Sequence, residues 1–126
     1  MSERIVFPDA EAVAVAHMPD LGVSMSTKVP NPRPASFVRV TRTGGSRRDL
    51  VTDGAQLTFE AWAATDVEAS DLAALARSYV YQLAEDQVGP IRGARDVSAP
   101  VSFPDPESGS PRYQFTVVVD LRGSAA

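Results

Sequence analysis

The sequence predicts an α+β fold: a mainly antiparallel sheet of four to five strands, with one long and one short helix packed on one face. The first observation is a change of hydrophobic period. Apolar and polar residues alternate over 57–63, as in a half-buried strand, whereas apolar residues between Leu72 and Leu83 recur at helical spacing. The second is that alternating segments both precede and follow this unit, an order typical of helices layered on a sheet.

The long helix has a recognisable start. Thr65 and Glu68 have the spacing of a capping box, in which the threonine oxygen accepts a hydrogen bond from the amide three residues later. The side chains expected to be buried in this strand–helix unit are Phe59, Leu72, Leu75, Tyr79 and Leu83.

The short helix is predicted near the start of the chain. Pro8 suits the first helical position, and Asp9 and Glu11 favour the positive end of the helix dipole. The alanine-rich run that follows favours helix, and Pro19 ends it.

Alternation places the remaining strands, and proline, glycine and polar residues place the connections. The predicted strands are 23–29, 37–43, 91–103 and 113–121, and the predicted connections are the proline segment 30–34, a polar loop at 44–53 and a turn-rich loop at 104–111. Strands 37–43 and 55–63 are expected to pair as a hairpin through the 44–53 loop, and the last two strands through the 104–111 loop.

Composition favours one globular domain over residues 1–126, with residues 124–126 as a frayed tail. Hydrophobic residues make up 44% and charged residues 22%, and cysteine is absent, which excludes disulfides and thiolate metal sites. The net charge of −4 argues against a general nucleic-acid binder. No apolar run is long enough for a membrane helix, so we expect assembly in the cytoplasm and no membrane partner.

No catalytic pattern stands out. His17 is the single histidine and fits a helix C-terminus better than an active site, and no nucleophile motif accompanies it. We therefore expect no enzyme activity and no cofactor.

One basic cluster is present at Arg39, Arg42, Arg47 and Arg48. It suits the phosphates of DNA, an acidic protein surface, or a solvated hairpin balanced by nearby aspartates. Because no aromatic residues alternate with the arginines for base stacking, the last two interpretations are favoured over nucleic acid.

The sheet face turned away from the helices is the other candidate surface. Strand alternation places Phe37, Arg39, Trp62 and Val118 on or near it. Such a face either meets a partner or is covered by a loop or the N-terminal arm, and the sequence weighs the two alternatives equally.

Several segments taken together resemble a known family. SMSTKVPNPRPASFVRVTRTGG, RRDLVTDGAQLTFEAWA, DLAALARSYVYQL and PVSFPDPESGSPRYQFTVVVDLRG are similar in layout and phrase to tail terminator (head–tail joining, minor tail) proteins of long-tailed phages that infect actinobacteria. The resemblance covers nearly the whole chain. It brings no residue-level functional motif with it.

The resemblance implies a structural virion protein in the neck region of the tail. Similar proteins form a homo-oligomeric ring, six-fold in the family, that caps the tail tube, ends polymerisation of the tube protein and offers a joint to the head–tail connector or closure protein. DNA would pass through the lumen without specific binding. A neighbouring head–tail connector or head-closure protein is the alternative, and a small DNA-binding module a weaker one.

By this interpretation the contacting segments are 30–34, 44–53 and 104–111. The candidate interface residues in or near them are Arg33, Phe37, Arg39, Arg42, Arg47, Arg48, Trp62, Asp105 and Glu107.

Overall fold

The computed structural model describes residues 4–126; residues 1–3, which the sequence assigns to the same domain, lie outside the described residues. The elements in chain order are β1 (Ile5–Val6), α1 (Ala10–His17), β2 (Ser24–Ser26), β3 (Phe37–Asp49), β4 (Thr52–Trp62), α2 (Asp66–Glu85), β5 (Ile91–Ser102), β6 (Arg112–Arg122) and β7 (Ser124–Ala125).

The main sheet has five strands in the order β2-β3-β4-β6-β5. All neighbouring pairs are antiparallel except β2 and β3, which are parallel. The predicted α+β class with a mainly antiparallel sheet of four to five strands is therefore confirmed. A second, two-stranded sheet joins the ends of the chain, because β1 pairs with β7. Residues 124–125, expected in a frayed tail, are thus part of a strand.

The β3–β4 hairpin is longer than predicted. The expectation that residues 44–53 form a loop is wrong, since β3 continues to Asp49 and β4 begins at Thr52. The glycine pair continues the ladder instead of forming a turn, and the register shifts just before it, between Arg42 and Gly44. Gly45 has φ +102°, and a Cβ there would lie 2.0 Å from the Gly54 carbonyl oxygen, so only glycine fits.

The strand predicted at 23–29 is shorter in the structure. Only Ser24–Ser26 pairs with β3, and it does so next to Phe37–Arg39. The strand ends at Ser26, whose hydroxyl donates to the Lys28 carbonyl at 2.6 Å. This local hydrogen bond competes with pairing to the sheet.

Both helices begin at side-chain caps. Asp9 accepts hydrogen bonds from the amides of Glu11 (3.0 Å) and Ala12 (3.2 Å), so α1 starts at Ala10 and Pro8 precedes the cap. Thr65 accepts from the Glu68 amide at 3.2 Å, as the capping-box spacing predicts. In residues 4–126 neither helix is long and apolar enough to cross a membrane.

The core lies between the helices and one face of the main sheet. Phe59 of β4 and Phe115 of β6 stack with ring centroids 4.9 Å apart at its centre. A cavity of about 20 Å³ beside them is lined by residues from both helices and from the sheet: Ala10, Val13, Ala14, Met18, Leu57, Phe59, Val80, Leu83, Ile91, Val119 and Leu121.

The buried stripe of α2 differs from the predicted one. Phe59 and Leu83 are buried as predicted, but Leu72 and Tyr79 are half-buried and Leu75 is exposed. The buried residues are mostly small: Ala69, Ala73, Ala76, Val80, Leu83 and Ala84. Alanines allow the helix backbone to approach the sheet closely, so the longer leucine and tyrosine side chains are displaced to the flanks.

Candidate functional site

The candidate site is the face of the main sheet opposite the helices, which we call the open sheet face. Strand register places side chains of four strands on it: Phe37, Arg39 and Thr41 of β3; Gln56, Thr58, Glu60 and Trp62 of β4; Gln114, Thr116, Val118 and Asp120 of β6, with Arg112 at the start of that strand; and Arg95 of β5. Most of these side chains are half-buried.

One end of the open sheet face is closed by the chain itself. Phe37 and Trp62 stack with centroids 5.1 Å apart and are 0% and 5% exposed. The guanidinium groups of Arg33 and Arg112 lie 5.1 and 5.0 Å from the Trp62 ring centroid, within cation–π range. Of the two alternatives that the sequence leaves open for this face, coverage by a loop applies at this end: the proline segment and the 104–111 loop flank Phe37 and Trp62, and arginines cover the indole.

Arg112 links the 104–111 loop to strand β4 at this closed end. Its side chain is only 8% exposed and lies 3.2 Å from a Glu60 carboxylate oxygen and 4.0 Å from one of Asp105. Its Nε donates to the Phe103 carbonyl at 2.8 Å. Arg39 approaches the other Glu60 oxygen at 3.4 Å, so Glu60 is shared between two arginines.

The 104–111 loop has an internal framework of hydrogen bonds. Asp105 accepts from the hydroxyl (2.5 Å) and the amide (3.0 Å) of Ser108, and the hydroxyl bond is the main cause that lowers the pKa of the Asp105 carboxyl. Arg33 donates to Ser110 at 3.0 Å and to Ser108 at 3.3 Å. The proline segment and the loop are therefore tied together, while Glu107 is exposed on the loop.

The middle of the open sheet face is a ladder of neutral polar groups. The hydroxyls of Thr43, Thr58 and Thr116 connect three adjacent strands at 3.0 and 2.9 Å. Gln56 donates to the Thr43 hydroxyl at 3.1 Å. These groups form a hydrogen-bonding surface between the two charged ends.

The opposite end carries a second ionic group. Asp120, 6% exposed, accepts from Arg48 at 2.5 Å and from Arg95 at 3.2 Å. The side of the sheet that faces the helices has a separate pair, because Arg42 binds Asp53 at 2.9 Å and its backbone amide donates to Glu11 of α1 at 2.8 Å.

The structure separates the four arginines of the predicted basic cluster. Arg39 and Arg48 lie on the open sheet face at opposite ends, whereas Arg42 and Arg47 lie on the helix side. Three of them pair with carboxylates, and Arg47 donates to the carbonyls of residues 49 and 50. They do not form one continuous basic patch.

Sequence reasoning missed the acidic partners and the buried arginine. Glu60, Arg112 and Asp120 organise the face but are absent from the sequence-based candidates. The alternation of the last strand contains the signal, because one more step of two before Gln114 reaches Arg112 on the same face.

His17, the residue considered for catalysis, lies in the last turn of α1, with its ring against the backbone of Gly89 after α2. Among residues 4–126, no three histidine, aspartate or glutamate side chains are grouped so as to hold a metal ion.

No known family model matches the chain, and no curated protein matches it in a sequence comparison.

Proposed function

We propose that this protein is a structural subunit of a phage tail, a terminator that forms a ring on the end of the tail tube. The observation that carries the proposal is the open sheet face, a surface with a polar centre that the two helices leave uncovered. The ring would end tube polymerisation and offer its other side to the head–tail connector or closure protein, with six subunits as in similar proteins.

The chemistry of the open sheet face suits contact with protein. Arginines held by carboxylates are well represented, and interfaces between proteins are enriched in arginine and in hydrogen-bonding groups at the rim. Two arginines share each carboxylate of this face, Arg39 and Arg112 at Glu60 and Arg48 and Arg95 at Asp120, so positive charge remains for an acidic protein surface. The face is therefore proposed to meet protein, and DNA is proposed to pass through the lumen without specific binding.

The two ends of the sheet carry different structures, as the contacts of a ring require. One end carries the aromatic stack with the 104–111 loop, and the other carries the tip of the β3–β4 hairpin. A ring requires heterologous contacts, in which one patch binds a different patch of the neighbouring subunit. We propose that residues 30–34, the hairpin and residues 104–111 supply those contacts and the contacts to the tube.

The test is negative-stain imaging of the tail tube protein polymerised with and without this protein. We expect shorter tubes that end in a ring of added density. Thr41→Lys adds charge to the open sheet face and should abolish capping, whereas Ala74→Lys, on the exposed side of α2, should leave it intact. Tubes of unchanged length without end density would contradict the proposal, and binding to the connector alone would favour a neck protein instead.

A further inference from the structure

The tip of the β3–β4 hairpin presents an apolar side chain on an ordered turn. Leu50 is 76% exposed, the highest exposure among the large hydrophobic residues described. Arg47 fixes the turn by donating to the carbonyls of Asp49 (3.1 Å) and Leu50 (2.8 Å). Asp49 accepts from the Val51 amide at 2.9 Å, and this bond is the main cause that lowers the pKa of the Asp49 carboxyl.

Leucine is an unusual residue at such a position. Tight turns favour glycine, asparagine, aspartate, serine and proline, each of which relieves a backbone constraint. Leu50 relieves none, and its side chain remains largely in water. It is therefore available as an anchor for a second apolar surface.

An apolar patch lies at the opposite end of the sheet. Val101 and Phe103 are 47% and 49% exposed, and we call these two residues the β5-end patch. The Arg112 guanidinium, 5.2 Å from the Phe103 ring centroid, helps to hold the ring in place. Val101 is the register partner of Gln114, so its side chain belongs to the rim of the open sheet face.

The tip cannot reach the β5-end patch of its own chain. Strand β4 separates them, and its 11 residues span about 33 Å at the usual rise of a strand. The exposed charges that form no ion pair within residues 4–126 differ in sign between the two places. At the tip these are Arg47 and Arg122, the register partner of Thr52, against the single acid Asp49, while Arg48 binds Asp120. On the loop after the patch, Asp105 binds Arg33, and Glu107 is the exposed acid that remains.

We infer that the Leu50 tip of one copy docks on the β5-end patch of a second copy, in a head-to-tail contact. Leu50 would pack against Val101 and Phe103 while the arginines around the tip approach the carboxylates of the loop. The inference rests on the proposed function and names the contact by which ring subunits join. A heterologous contact of this kind closes into a ring if the rotation between copies is suitable.

The absence of cysteine allows a direct test by disulfide cross-linking. Full-length Leu50→Cys and Val101→Cys variants are mixed and mildly oxidised, in solution and in the presence of tail tubes. We expect mixed dimers in preference to either homodimer, because the two positions meet only between copies. Leu50→Cys mixed with Val67→Cys is the control, since Val67 is 70% exposed but lies on the first turn of α2.

Two results would overturn the inference: disulfide dimers of Leu50→Cys with itself as abundant as the mixed dimers, or no mixed dimers in either condition. An independent variant, Leu50→Asp, should weaken self-association about tenfold or more in light scattering. The far-UV circular dichroism spectrum of Leu50→Asp should be unchanged, which separates lost docking from unfolding.

The proposed function and the contact can fail separately. Mixed dimers together with uncapped tubes would retain the head-to-tail contact and reject the terminator. Capped tubes on which Leu50→Cys and Val101→Cys do not cross-link would retain the terminator and reject this contact.

Discussion

Arg112 is the residue on which the closed end of the open sheet face depends. It is nearly buried, its guanidinium covers the Trp62 ring, and it is the closer partner of Glu60. A buried ion pair contributes little relative to an apolar pair of the same shape, but removal of one member leaves a costly uncompensated charge. The same substitution at an exposed arginine should therefore have a different effect.

We expect Arg112→Met to lower the free energy of unfolding by about 3 kcal/mol, because Glu60 keeps only its longer 3.4 Å contact with Arg39. Urea unfolding followed by fluorescence of Trp62 measures the loss. Arg33→Met is the matched control, since Arg33 also covers the indole but its side chain is 37% exposed, so a loss below about 1 kcal/mol is expected.

A double variant identifies the cause. Adding Glu60→Gln to Arg112→Met removes the unpaired carboxylate and should recover part of the loss. Equal losses for Arg112→Met and Arg33→Met, or no recovery in the double variant, would show that burial of the Glu60 charge is not the source of the effect.

At the scale of elements, helix α2 shows how far hydrophobic periodicity carries a prediction. The helix and its Thr65 cap follow from spacing, and Phe59 and Leu83 are buried as expected. The observed buried face is rotated from the one that the leucines predict, because alanine counts for less than leucine in a hydrophobicity pattern. Ala73 is fully buried because its side chain is small enough to fit between the helix and the sheet. Such burial depends on the distance between helix and sheet and not on hydrophobicity.

Overpacking at this contact tests the interpretation. Ala73→Leu places a larger side chain where α2 meets the sheet and should destabilise the fold by about 1–3 kcal/mol in urea unfolding. Ala74→Leu makes the same change one residue later on the exposed side, where roughly 0.5 kcal/mol or less is expected. Similar values for the two variants would mean that the alanine stripe does not set the helix–sheet distance.

The hairpin illustrates a second limit of sequence reasoning. Gly44 and Gly45, in a polar and arginine-rich context, indicate a loop, because glycine is common in turns and weakens strands. In the structure the ladder continues past them, and the arginines find carboxylates on strands that are distant in sequence, such as Asp120 for Arg48. Pairing of this kind depends on register across the sheet, which local composition does not determine.

At the scale of the whole molecule, the sequence predicts the α+β class and the mainly antiparallel sheet, but not which side chains remain accessible. Phe37 and Trp62 alternate correctly onto the second face, yet arginines from a connection and from the start of another strand cover Trp62. The sequence does not indicate that Leu50 and Phe103, which carry the proposed self-contact, are exposed, because exposure is a property of the folded chain.

The charges at the two ends of the molecule give a final prediction. Glu107→Arg should slow head-to-tail association roughly tenfold at low salt, because the loop would then repel the arginines around the Leu50 tip. Asp71→Arg, exposed in the second turn of α2 on the other side of the sheet from the patch, makes the same change in net charge and should have little effect. Light scattering after mixing measures both rates.

Salt distinguishes this charge effect from lost packing. At about 1 M salt the Debye length falls to roughly 3 Å, so the difference between Glu107→Arg and the unsubstituted protein should nearly vanish. The defect of Leu50→Asp should persist at that ionic strength, since the loss of apolar contact is not screened. A Glu107→Arg defect that is independent of salt would place residue 107 outside the charged rim of the contact and require another orientation between copies.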